Sequence, residues 1–218
     1  ESDKPPAFRT VLGKTGDIFS GPFYIDIDFS EDDGGIESSI GAVNAILDKF
    51  EAADVDLNCV RLFATGGRGF HLEIPREVFG GTDHERLPQI YKAMALEMFV
   101  DGVDLRVYSG GRGRQWRVPN IRRPNSHYKV PITVDEARSL DVEGYRRLCS
   151  EPRAFPPLAE PRRASGLAML WAQARDREKS RPVKRTFARA EGELRQRFGG
   201  DAPPSVRALL DGAHLPDV

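Results

Sequence analysis

Phe23-Tyr24-Ile25-Asp26-Ile27-Asp28-Phe29 reads as a β-strand, because it is aromatic and β-branched and its acids alternate with apolar residues. Side chains two apart point the same way, so Asp26 and Asp28 share one face. Two carboxylates set among Ile25, Ile27 and Phe29 are costly to bring together unless a positive charge lies between them. A divalent cation meets that need, and Mg²⁺ or Mn²⁺ prefers oxygen ligands. Ordinary exposed strands also alternate in this way, so the pair by itself does not make a metal site.

Outward from this strand, the loop 30–35 leads into a helix whose apolar side is Ile36, Ile40, Val43, Leu47 and Phe50. Residues 59–64 read as a second strand and 70–74 as a third, with Phe70, Leu72 and Ile74 facing opposite to His71 and Glu73. A second helix is expected over 84–99, burying Leu87, Ile90, Met94 and Met98, and further strands over 105–108, 115–118 and 128–132. The order is β-α-β-β-α-β-β. It predicts an α+β fold with a mostly antiparallel sheet and helices packed on it. Residues 1–20 look like an irregular arm, and from about Asp135 short helices are broken by Pro152, Pro156, Pro157, Pro161, Pro203 and Pro204. The expected division is therefore a catalytic domain over 1–134 and a small helical appendage over 135–218.

A third acid would complete a metal site. Asp101 and Asp104 stand where the second helix gives way to a strand; Asp101 precedes Gly102 and suits a turn, so Asp104 is the preferred ligand. Three carboxylates can hold two metals roughly 3.5–4 Å apart, one activating an attacking hydroxyl and one neutralising charge on a transferred phosphate.

In Thr65-Gly66-Gly67-Arg68-Gly69-Phe70-His71, three glycines in four positions let backbone N–H groups approach an anion. Arg68 adds a forked cation, Thr65 a hydroxyl, and His71 a ring donor on the polar strand face. The turn is neither a Walker A loop nor a Rossmann turn, and a plain glycine-rich hairpin has the same composition. Residues 106–129 carry seven Lys/Arg (Arg106, Arg112, Arg114, Arg117, Arg122, Arg123, Lys129) and no acid, which calls for an anionic partner. Within that segment Gln115 and Arg117 share a face opposite Trp116.

The net charge of −1 conceals this segregation: residues 1–60 hold 13 Asp/Glu against 4 Lys/Arg, and 161–200 hold 11 Lys/Arg against 4 Asp/Glu. An acidic district for cations and a basic path for a polyanion follow. Cys59 and Cys149 fit neither a disulfide framework nor a CxxC clamp, and no apolar run approaches membrane-spanning length, so a reducing, cytoplasmic setting without a membrane is expected. A chain opening on Glu1 rather than Met reads as a processed or excised fragment.

Together, Tyr24-Ile25-Asp26-Ile27-Asp28, the Thr65–His71 turn and Val103-Asp104-Leu105-Arg106-Val107-Tyr108 resemble the archaeo-eukaryotic primase superfamily, whose pattern is an hDhD strand, a small-residue turn ending in histidine, and a third acid after a helix. Arg117-Val118-Pro119-Asn120 and Tyr128-Lys129-Val130-Pro131 look like the segment after the third acid in primase-polymerases of mobile elements. The likeness spans about residues 20–133. It implies a recognition-motif-like sheet and metal ligation (Mg²⁺ or Mn²⁺) by Asp26, Asp28 and Asp104. It also implies nucleotide contacts from Thr65, Gly67, Arg68, Gly69, His71, Arg117 and Lys129, with Arg112, Arg114, Arg122 and Arg123 on nucleic acid. The implied activity is primer synthesis from NTP or dNTP on a single-stranded DNA template, in a nucleoid-associated cytoplasmic setting, with a fused or associated helicase as a further partner. Many relatives carry a zinc knuckle, which two isolated cysteines cannot build. Arg175, Lys179, Arg185 and Arg189 of the appendage would either grip the template or form a solvated cap. An end-joining or damage-tolerant polymerase shares every one of these catalytic residues. A non-catalytic binding module would instead display stacking aromatics on the sheet, and a rolling-circle nickase would need a second histidine beside His71.

Overall fold

The computed structural model describes residues 18–108 and 117–180. Its sheet holds β1 (Phe23–Ile27), β2 (Arg61–Ala64), β3 (Phe70–Ile74) and β4 (Val130–Ile132) in the order β1-β3-β2-β4, every neighbouring pair antiparallel. The helices are α1 (Gly35–Ala52), α2 (Arg76–Phe79), α3 (Leu87–Glu97), α4 (Val134–Ser139), α5 (Val142–Leu148) and α6 (Ser165–Ser180). The chain is thus α+β with an antiparallel sheet. No helix among the described residues is long and apolar enough to cross a membrane.

Period-two alternation sorts the sheet into two unlike faces. Phe23, Ile25 and Ile27 of β1 and Phe70, Leu72 and Ile74 of β3 are wholly buried, and Ile25 pairs with Leu72 in register. Ile36, Val43, Leu47 and Phe50 of α1 and Leu87, Ile90 and Met94 of α3 join the same core, and both helices contact β1. The opposite face carries Tyr24, Asp26, His71, Glu73, Arg61 and Phe63, since Asp26 pairs with His71 and His71 with Phe63.

The outer edge of β1 is partly covered by the chain that follows α3. Ile27 bridges to Val103, Asp28 N–H donates to Gly102 O at 3.0 Å, and Asp104 N–H donates to Asp26 O at 2.9 Å. Asp104 therefore sits beside Asp26 as a fifth strand's residue would.

The strand expected over 105–108 is instead a 3-10 turn, Leu105–Tyr108. The Asp104 carboxylate accepts the Arg106 N–H at 2.8 Å and winds the backbone there, an Asx turn that competes with extended pairing. Val107 and Tyr108 are both buried in this turn, and two buried neighbours in so short a segment do not tell it from a strand. Of the strand expected over 115–118, residues 115 and 116 lie outside the described residues, and Arg117 and Val118 are not in a strand. The strand expected over 128–132 is trimmed to β4, with Tyr128 forming a lone bridge to Arg122.

A boundary at 134/135 does not coincide with a break in packing, for the compact unit continues to Glu178. α4 and α5 contact α1, and Trp171 of α6 is 3% exposed, its ring 5.4 Å from Phe79 and 6.0 Å from Tyr91. The prolines expected to break short helices shape, over 152–161, a strap hydrogen-bonded to the core, through Ala159 N–H to Asn58 O (3.0 Å) and Ala164 N–H to Val78 O (2.8 Å). Of the expected irregular arm, residues 1–17 lie outside the described residues; Phe19 pairs with His84 in a two-way bridge.

Candidate active site

The open sheet face supports a cavity of about 560 Å³. Asp26, Asp28 and Glu31 form its acidic end, with Arg68 beside Asp28 and Glu31, and Arg117, Arg123, His127, Lys129, Arg146, His71 and Thr65 also line it. Acidic and basic districts far apart in sequence meet here in one depression. Such a bipolar pocket suits a polyanion that reaches a cation at one end.

The acidic end is built by β1 and its edge partner. Asp26 is cross-strand from His71, whose Nε2 lies 3.3 Å from Asp26 Oδ1. Burial holds the His71 pKa below the usual imidazole value, against the pull of Asp26, so the ring is neutral at pH 7. Asp28 has its carboxyl pushed above the ordinary value, first by burial and then by Asp26 and Asp104, with Arg68 opposing. Arg68 Nε stands 3.7 Å from Asp28, and its Nη1 4.0 Å from Glu31. Asp104 is only 14% exposed and receives Arg106 Nε at 2.9 Å.

The three aspartates that the sequence singled out thus come together. As their side chains stand, no three His, Cys, Asp or Glu donors among the described residues converge on one point, because each carboxylate is turned to its own basic neighbour. The donor set nonetheless fits Mg²⁺ or Mn²⁺: it is all carboxylate oxygen on adjacent backbone, and Asp28, its carboxyl pushed up first by burial and then by Asp26 and Asp104, would gain from a cation beside it.

The glycine turn differs from a phosphate nest in one respect. Gly67 and Gly69 N–H both point to Thr65 Oγ1, at 3.4 and 3.3 Å, so those groups are engaged within the turn. Its carbonyls are held from outside: Arg123 Nη1 donates to Thr65 O (2.8 Å), Asn125 Nδ2 to Gly66 O (2.9 Å), and the Tyr145 hydroxyl to Gly69 O (2.8 Å). Gly69 is required because a Cβ there would lie 1.8 Å from Ile27 O. Gly66 has φ +69° and its Cβ would meet Tyr128 O at 2.3 Å. The turn is a rigid shelf that presents Arg68.

Among the expected contact residues, Thr65, Gly67, Arg68, His71, Arg117 and Lys129 line the cavity, whereas Gly69 lies beneath it as a structural glycine. Lys129 is 2% exposed, its Nζ 4.3 Å from the Phe63 ring centroid, and burial pulls its pKa down to about 8. Arg123 lines the cavity, but Arg122 turns to Ser126 at 3.2 Å instead. Arg112 and Arg114 lie outside the described residues, as do Arg185 and Arg189. Arg175 pairs with Asp176 at 3.6 Å.

The sequence reading missed Glu31, Asn125, His127 and Arg146. Asn125 and His127 sit inside the basic segment and were hidden by its arginines. Arg146, next to Arg147 at the end of α5, carried no signal beyond an ordinary charged helix terminus. Comparison with protein-family models, with curated proteins and with solved structures found no match to this chain.

Proposed function

We propose that this chain is a metal-dependent nucleotidyltransferase of the primase-polymerase kind, joining NTP or dNTP on a single-stranded DNA template. The observation that carries the reading is the backbone pairing of Asp104 with Asp26, which brings a third carboxylate, 78 residues away in sequence, to the face of Asp26 and Asp28. That is the arrangement implied by the likeness to archaeo-eukaryotic primases.

Mg²⁺ or Mn²⁺, when bound, lowers the pKa of an attacking 3′-hydroxyl and neutralises charge on the phosphate and its leaving group. The carboxylates of Asp26, Asp28 and Asp104 would hold it. Arg68, Arg117, Arg123, Lys129 and Arg146 bind and orient the triphosphate along the cavity, the arginines by paired N–H bonds. His71, with Nε2 3.3 Å from Asp26 Oδ1, holds that carboxylate in place at the acidic end. Lys129, with a pKa of about 8, gains from an anion that favours its charged form.

A binding module on a similar sheet would expose aromatic rings for base stacking. Here Phe63 is 3% exposed beneath Lys129, and Tyr24 stacks on Tyr108 at 5.0 Å. The face is furnished for a charged ligand.

The deciding experiment is primer-free synthesis on single-stranded DNA with Mg²⁺ or Mn²⁺. Asp26→Ala combined with Asp28→Ala is expected to abolish product while leaving the thermal midpoint unchanged or raised, since like charges are removed. Undiminished synthesis by this variant rejects the assignment. Dinucleotide formation without a primer separates a primase from a polymerase that only extends ends.

A further inference from the structure

Every aspartate of the acidic end has its own base. His71 Nε2 is 3.3 Å from Asp26, Arg68 Nε 3.7 Å from Asp28, and Arg106 Nε 2.9 Å from Asp104. Two of the three carboxylates thus stand beside a guanidinium, and Asp26 beside the neutral imidazole of His71. We propose that Arg106 is a displaceable counterion, holding Asp104 until a divalent cation takes the carboxylates and then moving to the polyphosphate of the substrate. The inference rests on the metal-dependent reading above and adds to it a coupling between metal and nucleotide.

The asymmetry of the pair says which partner moves. The Asp104 side chain is 14% exposed and its backbone is bonded to Asp26 O, whereas the Arg106 side chain is 84% exposed. An ion pair whose cation is that exposed is weakly held, and a divalent ion on the same carboxylate outcompetes it. The guanidinium also meets both Asp104 oxygens, Nε at 2.9 Å and Nη2 at 3.4 Å. That forked geometry fits two phosphate oxygens equally well. Arg106 also lies within the field of Asp26 and Asp28, which line the cavity, and next in sequence to Val107, which lines it too. Arg68, placed between Asp28 and Glu31 and 37% exposed, repeats the arrangement at the second carboxylate.

A cation that releases Arg106 prepares the nucleotide's own binding group, so each ligand strengthens the other. A bracing role for Arg106 makes the opposite forecast, since loss of a brace weakens both. The Arg106→Ala variant discriminates, because the bond from residue 106 N–H to Asp104 Oδ1 at 2.8 Å is backbone and survives the change.

Mn²⁺ alone is titrated by electron paramagnetic resonance, and dATP is then titrated calorimetrically into Mn²⁺-saturated protein. Arg106→Ala is expected to bind Mn²⁺ about three- to tenfold more tightly than the unchanged protein, and then dATP about threefold or more weakly. Arg106→Lys, which keeps charge but loses the fork, falls between in both. Unchanged Mn²⁺ affinity, unchanged dATP affinity, or two shifts of the same sign overturns the proposal. Asp26→Ala with Asp28→Ala, run alongside, separates the two layers. If that variant retains Mn²⁺, the metal reading and the Arg106 inference fall together. If it loses Mn²⁺ while Arg106→Ala behaves as unchanged protein, only Arg106 loses its role.

Discussion

Lys129 is a cation held in poorly solvated surroundings. Its ammonium group lies under the surface over Phe63, and burial lowers its pKa from 10.5 to about 8, partly offset by Glu73 and Asp26. The sign of the resulting pH dependence follows from proton counting. Below about pH 8 the group is charged in both states and the folded protein bears the whole penalty. Between about 8 and 10.5 the unfolded chain holds more protons than the folded one, so stability rises with pH. Urea unfolding of nucleotide-free protein across that window is expected to show unchanged protein gaining on Lys129→Met as pH increases; parallel curves for the two would show that Lys129 titrates normally. Lys129 nonetheless lines the cavity, where an anion of the proposed kind would compensate its charge.

At the scale of elements, the turn between β2 and β3 is set by α5. Tyr145, 1% exposed and edge-on to Phe70 at 5.3 Å, sends its hydroxyl to Gly69 O. Tyr145→Phe keeps the ring and removes one of two donors to that carbonyl, which retains the Thr65 N–H at 3.0 Å, at about 0.5–1.5 kcal/mol. The expected result is a raised KM for nucleotide with the circular dichroism spectrum unchanged; a KM equal to that of the unchanged protein would mean the turn holds its shape unaided. This clamp also marks the limit of what sequence makes legible. β1 and β3 could be read because strict alternation over 23–27 and 70–74 separates a buried face from a polar one, and α1 and α3 because their apolar stripes repeat at helical spacing. Leu105–Tyr108 could not, since a four-residue segment with two buried side chains looks alike as strand or 3-10 turn, and the Asp104 carboxylate chose between them. The carboxylate trio was legible as residue types, but its assembly depends on a backbone pairing that no local pattern announces. Tyr145 had no signal at all, being 76 residues from its partner.

For the molecule as a whole, the helices after β4 belong to the same core as the sheet. Trp171 of α6 meets Phe79 and Tyr91, and Tyr91 in turn meets Phe23 on β1 at 5.3 Å. Trp171→Ala is therefore expected to cost about 3–5 kcal/mol, read from denaturant midpoints, in one cooperative transition. Two separate transitions, with only the smaller one shifted, would restore the division at 134 that proline content implied. The prolines were misleading because they mark an extended strap pinned to Asn58 and Val78, and composition alone does not tell a pinned strap from a linker.

The shelf of Thr65–Gly69 is held by Arg123, Asn125 and Tyr145, all of which follow it in the chain. During synthesis, a nascent polypeptide that has already exposed Asp26, Asp28 and His71 still lacks the groups that shape its anion-facing loop. The half-made chain therefore has that loop unfinished, and its last clamp arrives only with α5.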